Sequence, residues 1–259
     1  MGEIMSGYKD DLISIIMAAY NAEKTIKQAI GSVLKQTYSN FELLVINDCS
    51  SDETAEIVKK IAARDKRVRL LSNQRNIGVS YSRKRGLEEA SGAWIAILDS
   101  DDEWVPQKLE RQMSLQKRTN AKLLFTGSSF MDAEGNAINW YLHAPNEVTY
   151  PQLLKQNVIS NSSALVRKDL YERYYVIDDR LHEDFAIWLR ILRDGEKAYG
   201  VDEPLLVYRV AKSSKSGNKF KAAKMNWRTY RYVGLNLLAA SYYECWYIIN
   251  GLLKYRNLK

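Results

Sequence analysis

Residues 76–104 read NIGVSYSRKRGLEEASGAWIAILDSDDEW. Ser80 to Ala90 has helical composition and stops near Gly92, a residue that readily ends a helix. Trp94 to Leu98 is a short apolar run of the kind that forms a buried strand. It passes directly into Asp99-Ser100-Asp101-Asp102, and Pro106 is well placed to open the next helix. A helix that feeds a buried strand ending in acids is one βα unit of a parallel sheet.

The same alternation extends upstream. Leu12 to Met17, Phe41 to Ile46 and Val68 to Leu71 read as strands. Between them lie helical patterns, one carrying Ile26, Ile30, Val33 and Leu34, the other opened by Ser51-Asp52 and carrying Ile57, Val58 and Ile61. Four strand–helix alternations within residues 1–120 predict an α/β fold with a mainly parallel central sheet flanked by helices. Ligands of such sheets sit beyond the carboxyl ends of the strands, so the residues following each strand are the candidates for chemistry.

Those strand ends are polar. Ala18-Ala19-Tyr20-Asn21 and Glu23 follow the first strand, Asn47-Asp48-Cys49-Ser50-Ser51-Asp52 the second, and Asp99 to Asp102 the fourth. One rim thereby gathers Glu23, Asp48, Asp99, Asp101 and Asp102. Crowded carboxylates repel one another unless a cation lies between them, and Mg²⁺ or Mn²⁺ suits such oxygen ligands. The plainer alternative is a solvated acidic loop, with Asp101 or Asp102 capping the helix near Pro106.

Asn76, Gly78, Ser82 and Arg83 lie at the start of the third helix, where backbone amides favour an anion and Arg83 is within reach of a diphosphate. An ordinary turn and a basic surface helix would look the same. His182-Glu183-Asp184 opens a helix over 182–193 whose apolar face is Leu181, Phe185, Trp188, Leu189 and Leu192. An ionised acid there can act as a general base, or can simply favour the helix start. Leu123 to Thr126, Ala164 to Val166 and Leu205 to Val210 read as further strands.

The 259 residues are 46% hydrophobic and 27% charged, enough for a sizeable core and unlike a disordered chain. Cys49 and Cys245 form neither a disulfide framework nor a zinc-ligand pair, which points to a reducing compartment. The first residues lack the apolar segment of a secretory signal, although Gly2 and Ser6 match the loose myristoylation pattern. Asn161-Ser162-Ser163 is a glycosylation sequon by letter, relevant only to a secreted protein. The expected location is the cytoplasm.

Charge is uneven. Residues 211–259 hold ten of the 38 Lys/Arg and one of the 31 acids, so this tail carries +9 and residues 1–210 carry −2. The tail contains the apolar and aromatic run VGLNLLAASYYECWYII, Val233 to Ile249, interrupted by Asn236, Ser241 and Glu244. At 17 residues with a central acid it is a poor membrane span. The expectation is a helix that either packs on the rest of the chain or lies on the cytoplasmic face of a membrane, its basic and aromatic residues suited to an anionic interface. Self-association through the aromatic face is a third option. No nucleic-acid recognition motif accompanies the basic charge.

In order, the segments ISIIMAAYNAEKTI, FELLVINDCSSDET, RNIGVSYSRKRGLEEASGAWIAILDSDDEW, EDFAIWLRI and EPLLVYR resemble the family-2 glycosyltransferases of bacterial polysaccharide assembly over about Leu12 to Ser216. The resemblance implies a GT-A fold over residues 1–216, with a nucleotide-sugar half at about 10–120, an acceptor half at about 121–216, and a helical extension over 217–259. It also implies inverting transfer from a nucleotide-sugar, UDP-linked by expectation, to a hydroxyl of a glycan or lipid-linked glycan. Ala19, Tyr20, Asn21 and Glu23 would line the nucleoside pocket, Asp48 would bind the base, Asp99 the ribose, and Asp101 an Mn²⁺ or Mg²⁺ ion. Asn76, Gly78, Arg83 and Ser100 would serve the donor, Asp184 would be the base, and Glu183 would orient the acceptor.

Three departures from the family pattern stand out. Ala18-Ala19 replace the usual proline at the end of the first strand, and Cys49 replaces the glycine of the usual DDGS. Val210-Ala211-Lys212 stand where many relatives have a histidine after Tyr208-Arg209, so Arg209, Lys212 and Lys215 are expected to face the diphosphate instead. A nucleotidyltransferase would need a Gly-rich basic loop after the first strand, which this chain lacks. A non-catalytic sugar-binding or scaffold protein would be expected to have lost Asp101 or Asp184, and both are present.

Overall fold

A computed structural model describes residues 9–210 and 219–254. The alternating half folds as β1 (Lys9–Ala19), α1 (Ile26–Leu34), β2 (Phe41–Asn47), α2 (Thr54–Ala62), β3 (Val68–Ser72), α3 (Val79–Glu89) and β4 (Gly92–Ile97). The strands lie in the order β3-β2-β1-β4, all parallel. The order reverses beside β1, which opens a crevice beyond the strand ends where ligands of such sheets bind.

Alternation along β1 shows why two layers of helices are needed. Ile13, Ile15 and Met17 join one core with α1, while Ile16 joins the other with Leu87 of α3. Both faces of the sheet are apolar, so both must be covered. Gly86 lets α3 lie close: a Cβ there would stand 2.7 Å from the side chains of Ile16 and Ile46.

The second half adds β5 (Glu103–Trp104), α4 (Lys108–Thr119), β6 (Leu123–Met131), β7 (Ala137–Leu142), β8 (Glu147–Val148), α5 (Tyr150–Lys155), β9 (Leu165–Arg167), α6 (Lys168–Tyr174), α7 (Glu183–Arg193) and β10 (Ala198–Arg209). These extend the same sheet in the order β4-β9-β6-β10-β5, with β7 beside β6 and β8 beside β10. Here the pairing is mixed. β9 runs antiparallel to both β4 and β6, whereas β6 and β10 are parallel. The mainly parallel expectation therefore describes the first half better than the second.

Two boundaries shift for physical reasons. The last strand begins at Ala198 rather than Leu205, because an irregularity in register over Val201 to Leu206 accommodates Asp202-Glu203-Pro204. Helix α4 starts at Lys108, after Pro106 has used its carbonyl to accept the Thr37 N–H at 2.9 Å. Neither Asp101 nor Asp102 caps it; Gln107 holds that position.

The tail forms two helices, α8 (Lys219–Tyr232) and α9 (Leu237–Lys254). The apolar run from Val233 is thus not one helix: Gly234 takes φ +95° and the Leu235 N–H turns back to the Tyr230 carbonyl. Tyr230, Val233 and Ala240 are buried in the same core as α7. The expected boundary at residue 216 lies outside the described residues, as do Gly2, Ser6, Lys212 and Lys215.

Candidate active site

Three loops meet beyond the ends of β1, β2 and β4. The first two are laced together. The Asn21 N–H donates to Ser50 Oγ at 3.0 Å and Asn21 Oδ1 accepts the Ser51 N–H at 2.9 Å. Glu23 Oε2 accepts the Glu53 N–H at 3.1 Å, and Ala22 N–H donates to Thr54 Oγ1 at 2.8 Å. Asn21 and Cys49 both adopt positive φ, 49° and 59°, a conformation that costs a residue with a Cβ. Cys49 stands where glycine would fit without that cost. Ala19 is buried with its carbonyl accepting the Asp48 N–H at 2.8 Å, while Tyr20 is 53% exposed at the rim.

Asp48 is buried and accepts three hydrogen bonds. Its Oδ1 accepts from Asn73 Nδ2 at 2.8 Å and the Ile77 N–H at 3.0 Å, and its Oδ2 from the Gly78 N–H at 2.9 Å. Asn76 supports the same turn, its Oδ1 accepting from the Gly78 N–H at 3.2 Å. A shallow groove of about 520 Å³ opens beside it, lined by Ser72, Asn73, Gln74, Arg75, Ile77 and Arg85.

The start of α3 departs from the sequence-based expectation. Its amides are already occupied: Ser80 N–H donates to Asp179 Oδ1 at 3.2 Å, and Gly78 leaves room for that carboxylate, since a Cβ there would meet Asp179 Oδ2 at 2.2 Å. The anion expected at this helix end is thus a side chain of the chain itself. Gly78 also takes φ +92°, which disfavours any other residue.

Arg83 is buried and bridges two acids, Asp99 at the end of β4 and Glu183 at the start of α7. Burial works against its charge, but Asp99 and Glu183 overcome that and hold the guanidinium above its ordinary value. It is therefore a strut between the two halves of the site rather than a surface cation. One guanidinium joins residues 84 positions apart in sequence.

Arg209 has a similar role under the acid turn. Its N–H donates to Asp102 Oδ1 at 2.9 Å, its Nε to the Asp101 carbonyl at 2.9 Å and its Nη2 to Glu103 at 3.3 Å. Its Nη1 reaches the carbonyls of Asp132 and Ala133 at 3.4 and 3.3 Å. These contacts and its burial correct the expectation that Arg209 faces a diphosphate. Asp102 is buried beneath the turn, and burial, then Asp99 and Asp101, push its carboxyl well above the usual range. Burial and Asp99 also raise Asp101, against a smaller opposing pull from Arg209.

The rim of five acids therefore separates into distinct cases. Asp48, Asp99, Asp102 and Glu23 each accept from donors within the chain. Among the described residues, no donor from another residue reaches the carboxylate of Asp101, which with Ser100 is only partly buried. No three His, Cys, Asp or Glu side chains among the described residues form a metal cage on their own. The all-oxygen set of Asp101 and neighbouring Asp99 fits a hard divalent ion completed by phosphate and water.

Asp184 follows Glu183 in the first turn of α7 and is partly open to solvent. Burial and the adjacent Glu183 push its carboxyl up to about 6, against smaller pulls from His182, the Phe185 amide and Arg83. The tail secures this turn. His182 N–H donates to Thr229 Oγ1 at 3.1 Å, and the Tyr230 ring meets that of Phe185 with centroids 5.7 Å apart. Trp188, on the same helix, is fully buried core.

Several supporting residues carry no sequence signal of their role. Trp104 Nε1 donates to the Ser162 carbonyl at 2.7 Å, and the Asp99 N–H to Ser162 Oγ at 3.2 Å. Buried Lys108 donates to Gln112 at 2.9 Å, and Gln112 to the Ser163 carbonyl at 2.9 Å. Both polar atoms of the Asn161 amide are buried without a protein partner, so the sequon there is closed to a modifying enzyme.

The sheet order, the acid turn after β4 and the paired acids opening α7 are set in a GT-A fold. The profile of "Glycosyl transferase family 2" matches residues 14–174, and the chain belongs to that family. It is 34% identical over 244 residues to the putative teichuronic acid biosynthesis glycosyltransferase TuaG of Bacillus subtilis, covering 94% of this chain and 97% of that one. It is 39% identical over 248 residues to the UDP-Glc:alpha-D-GlcNAc-diphosphoundecaprenol beta-1,3-glucosyltransferase WfgD of Escherichia coli, covering 95% and 96%. The crystal structure of S. aureus TarS 1-349 in complex with UDP-GlcNAc shares the fold, with TM-score 0.72 at 18% identity over 95% of this chain and 74% of that one. The mannosyltransferase PcManGT from Pyrobaculum calidifontis, in complex with GDP-Man and Mn²⁺, shares it at TM-score 0.68 and 16% identity, covering 90% and 68%.

Proposed function

We propose that this glycosyltransferase moves a hexose or N-acetylhexosamine from a UDP-sugar to a hydroxyl of a lipid-linked glycan, with inversion. The observation that carries the reading is the Arg83 bridge, which ties the acid turn of β4 to the acids opening α7. The near full-length similarity to WfgD, whose name gives UDP-Glc as donor and a diphosphoundecaprenol-linked acceptor, favours glucose and a lipid-linked acceptor.

Asp48 has about one acceptor site left after its three internal bonds, enough for one N–H of a base lying against Asn21 and Tyr20. Asp99 serves the ribose and Asp101 holds Mn²⁺ or Mg²⁺. When bound, such a cation offsets the charge that builds on the departing diphosphate. Asp184 accepts the proton of the acceptor hydroxyl. That oxygen bonds to the anomeric carbon from the side opposite the diphosphate, the carbon–oxygen bond to the diphosphate breaks, and UDP leaves. A carboxylate raised to about 6 is a stronger base than an ordinary one and is still ionised at neutral pH. Glu183, held by Arg83, orients the acceptor from the neighbouring position.

The test is nucleoside diphosphate release from a panel of nucleotide-sugars, with a lipid-linked acceptor, in Mn²⁺ and in chelator. UDP release from UDP-glucose in Mn²⁺ is expected. Release from only GDP- or dTDP-sugars would overturn the donor, and undiminished release in chelator would overturn the metal.

A further inference from the structure

Helix α9 presents the wrong face to water for an ordinary surface helix. Its inner side packs on the core through Ala240, Tyr243 and Tyr247, and Glu244 turns inward to accept from Asn226 Nδ2 at 2.7 Å. Its outer side carries Leu238, Tyr242, Cys245 and Ile249, spaced so that all four fall on one stripe, with Leu237 and Trp246 beside them. Leu238 is 85% exposed, Leu237 61% and Ile249 49%. From Leu237 to Gly251 the helix has no charged residue except the inward Glu244. Large contiguous apolar patches on a protein surface mark interaction sites.

Charge identifies the partner. Arg231, in the last turn of α8, reaches the segment that leads into α9, donating to the Leu235 carbonyl at 2.6 Å. Lys155 flanks its other half, with Nζ 5.7 Å from the Trp246 ring centre. Lys224 and Arg228 are exposed on α8. Cations edging an apolar helical stripe match an anionic bilayer, whose acyl boundary takes the stripe and whose phosphates take the cations. A second copy fits poorly, because it would bring together two tails each carrying +9. Among the described residues, no helix is long and apolar enough to cross a membrane.

We propose that the outward face of α9 docks this chain in the plane of an anionic phospholipid surface. Helix α9 is tied to α8 by the Asn226–Glu244 hydrogen bond, and α8 to the start of α7 by the His182–Thr229 hydrogen bond. Docking therefore sets the acid-bearing start of α7 at a fixed place relative to the lipid headgroups. The inference stands whichever donor and acceptor the enzyme uses.

The experiment is co-sedimentation of the full chain with vesicles of phosphatidylcholine alone or mixed with phosphatidylglycerol. The wild type should sediment with the mixed vesicles and much less with the neutral ones. The double variant Leu238→Glu/Ile249→Glu should bind about tenfold or more weakly, since each side chain loses a burial of at least that size. An unchanged circular dichroism spectrum would show that it folds, and Leu238→Ser/Ile249→Ser provides the same comparison if it does not. Lys224→Gln/Arg228→Gln should reduce the preference for anionic vesicles. Equal binding by wild type and the stripe variants would overturn the proposal. So would a wild-type chain that ignores both vesicles but forms a dimer in gel filtration that Leu238→Glu dissociates.

Discussion

Asp48 and Asp184 both stand at the edge of the cleft, yet the fold treats them in opposite ways. Asp48 is surrounded by three N–H donors that fix its direction. Asp184 has burial and a like-charged neighbour, which disfavour ionisation. The first arrangement suits a fixed acceptor for a nucleoside, the second a group that takes up a proton. On the proposed function, the contrast separates the side of the cleft that holds from the side that reacts.

The largest expected break falls on the reactive side. Asp184→Asn should lower kcat by about 10²–10⁴-fold while leaving UDP affinity within error, measured by steady-state kinetics and calorimetry. The same substitution should stabilise the fold at neutral pH, by on the order of 1–3 kcal/mol in urea unfolding. The sign follows from the raised value: the folded state holds its proton up to about 6 while the unfolded chain releases it near 4, so stability falls as pH rises through that window. A variant both inactive and less stable would mean that Asp184 is structural.

Arg83→Met tests the link between the two sides. It leaves Asp99 and Glu183 without their shared cation and should cost about 3–5 kcal/mol, read as a lower urea midpoint. On the holding side, Asp101→Asn should weaken Mn²⁺-dependent UDP binding by about tenfold or more and leave any metal-independent binding unchanged. Cys49→Gly is the mildest change. Relief of a left-handed φ outweighs the added chain entropy of glycine, and a gain below about 1 kcal/mol is expected in the same unfolding assay.

The two sides also differ in how well the sequence announces them. Strands β1, β2 and β4 are largely buried, so they stand out as apolar runs punctuated by polar loops, and the acid turn after β4 is visible for the same reason. Strands β5 and β8 are two residues each, and β7 lacks a fully buried residue, so none leaves a hydrophobic period to read. The first part of β10 is hidden by its Asp-Glu-Pro irregularity. At the site, residue types were legible and pairings were not. Arg83 and Arg209 read as phosphate-binding cations, but their partners lie up to 108 positions away and only the folded chain brings them together. Glu23 looks like a pocket acid until the Glu53 amide is found beside it. The break at Gly234 was legible as a single glycine, but the apolar run around it masked its effect.

The central claim is that Asp184 accepts the proton, and the pH dependence of kcat/KM for the wild type measures it most directly. Activity should rise as pH increases through about 6 and level off above, because the free enzyme must first lose the proton held on Asp184. A profile that is flat through that region, with its acid limb down near the ordinary carboxylate value of about 4, would contradict it.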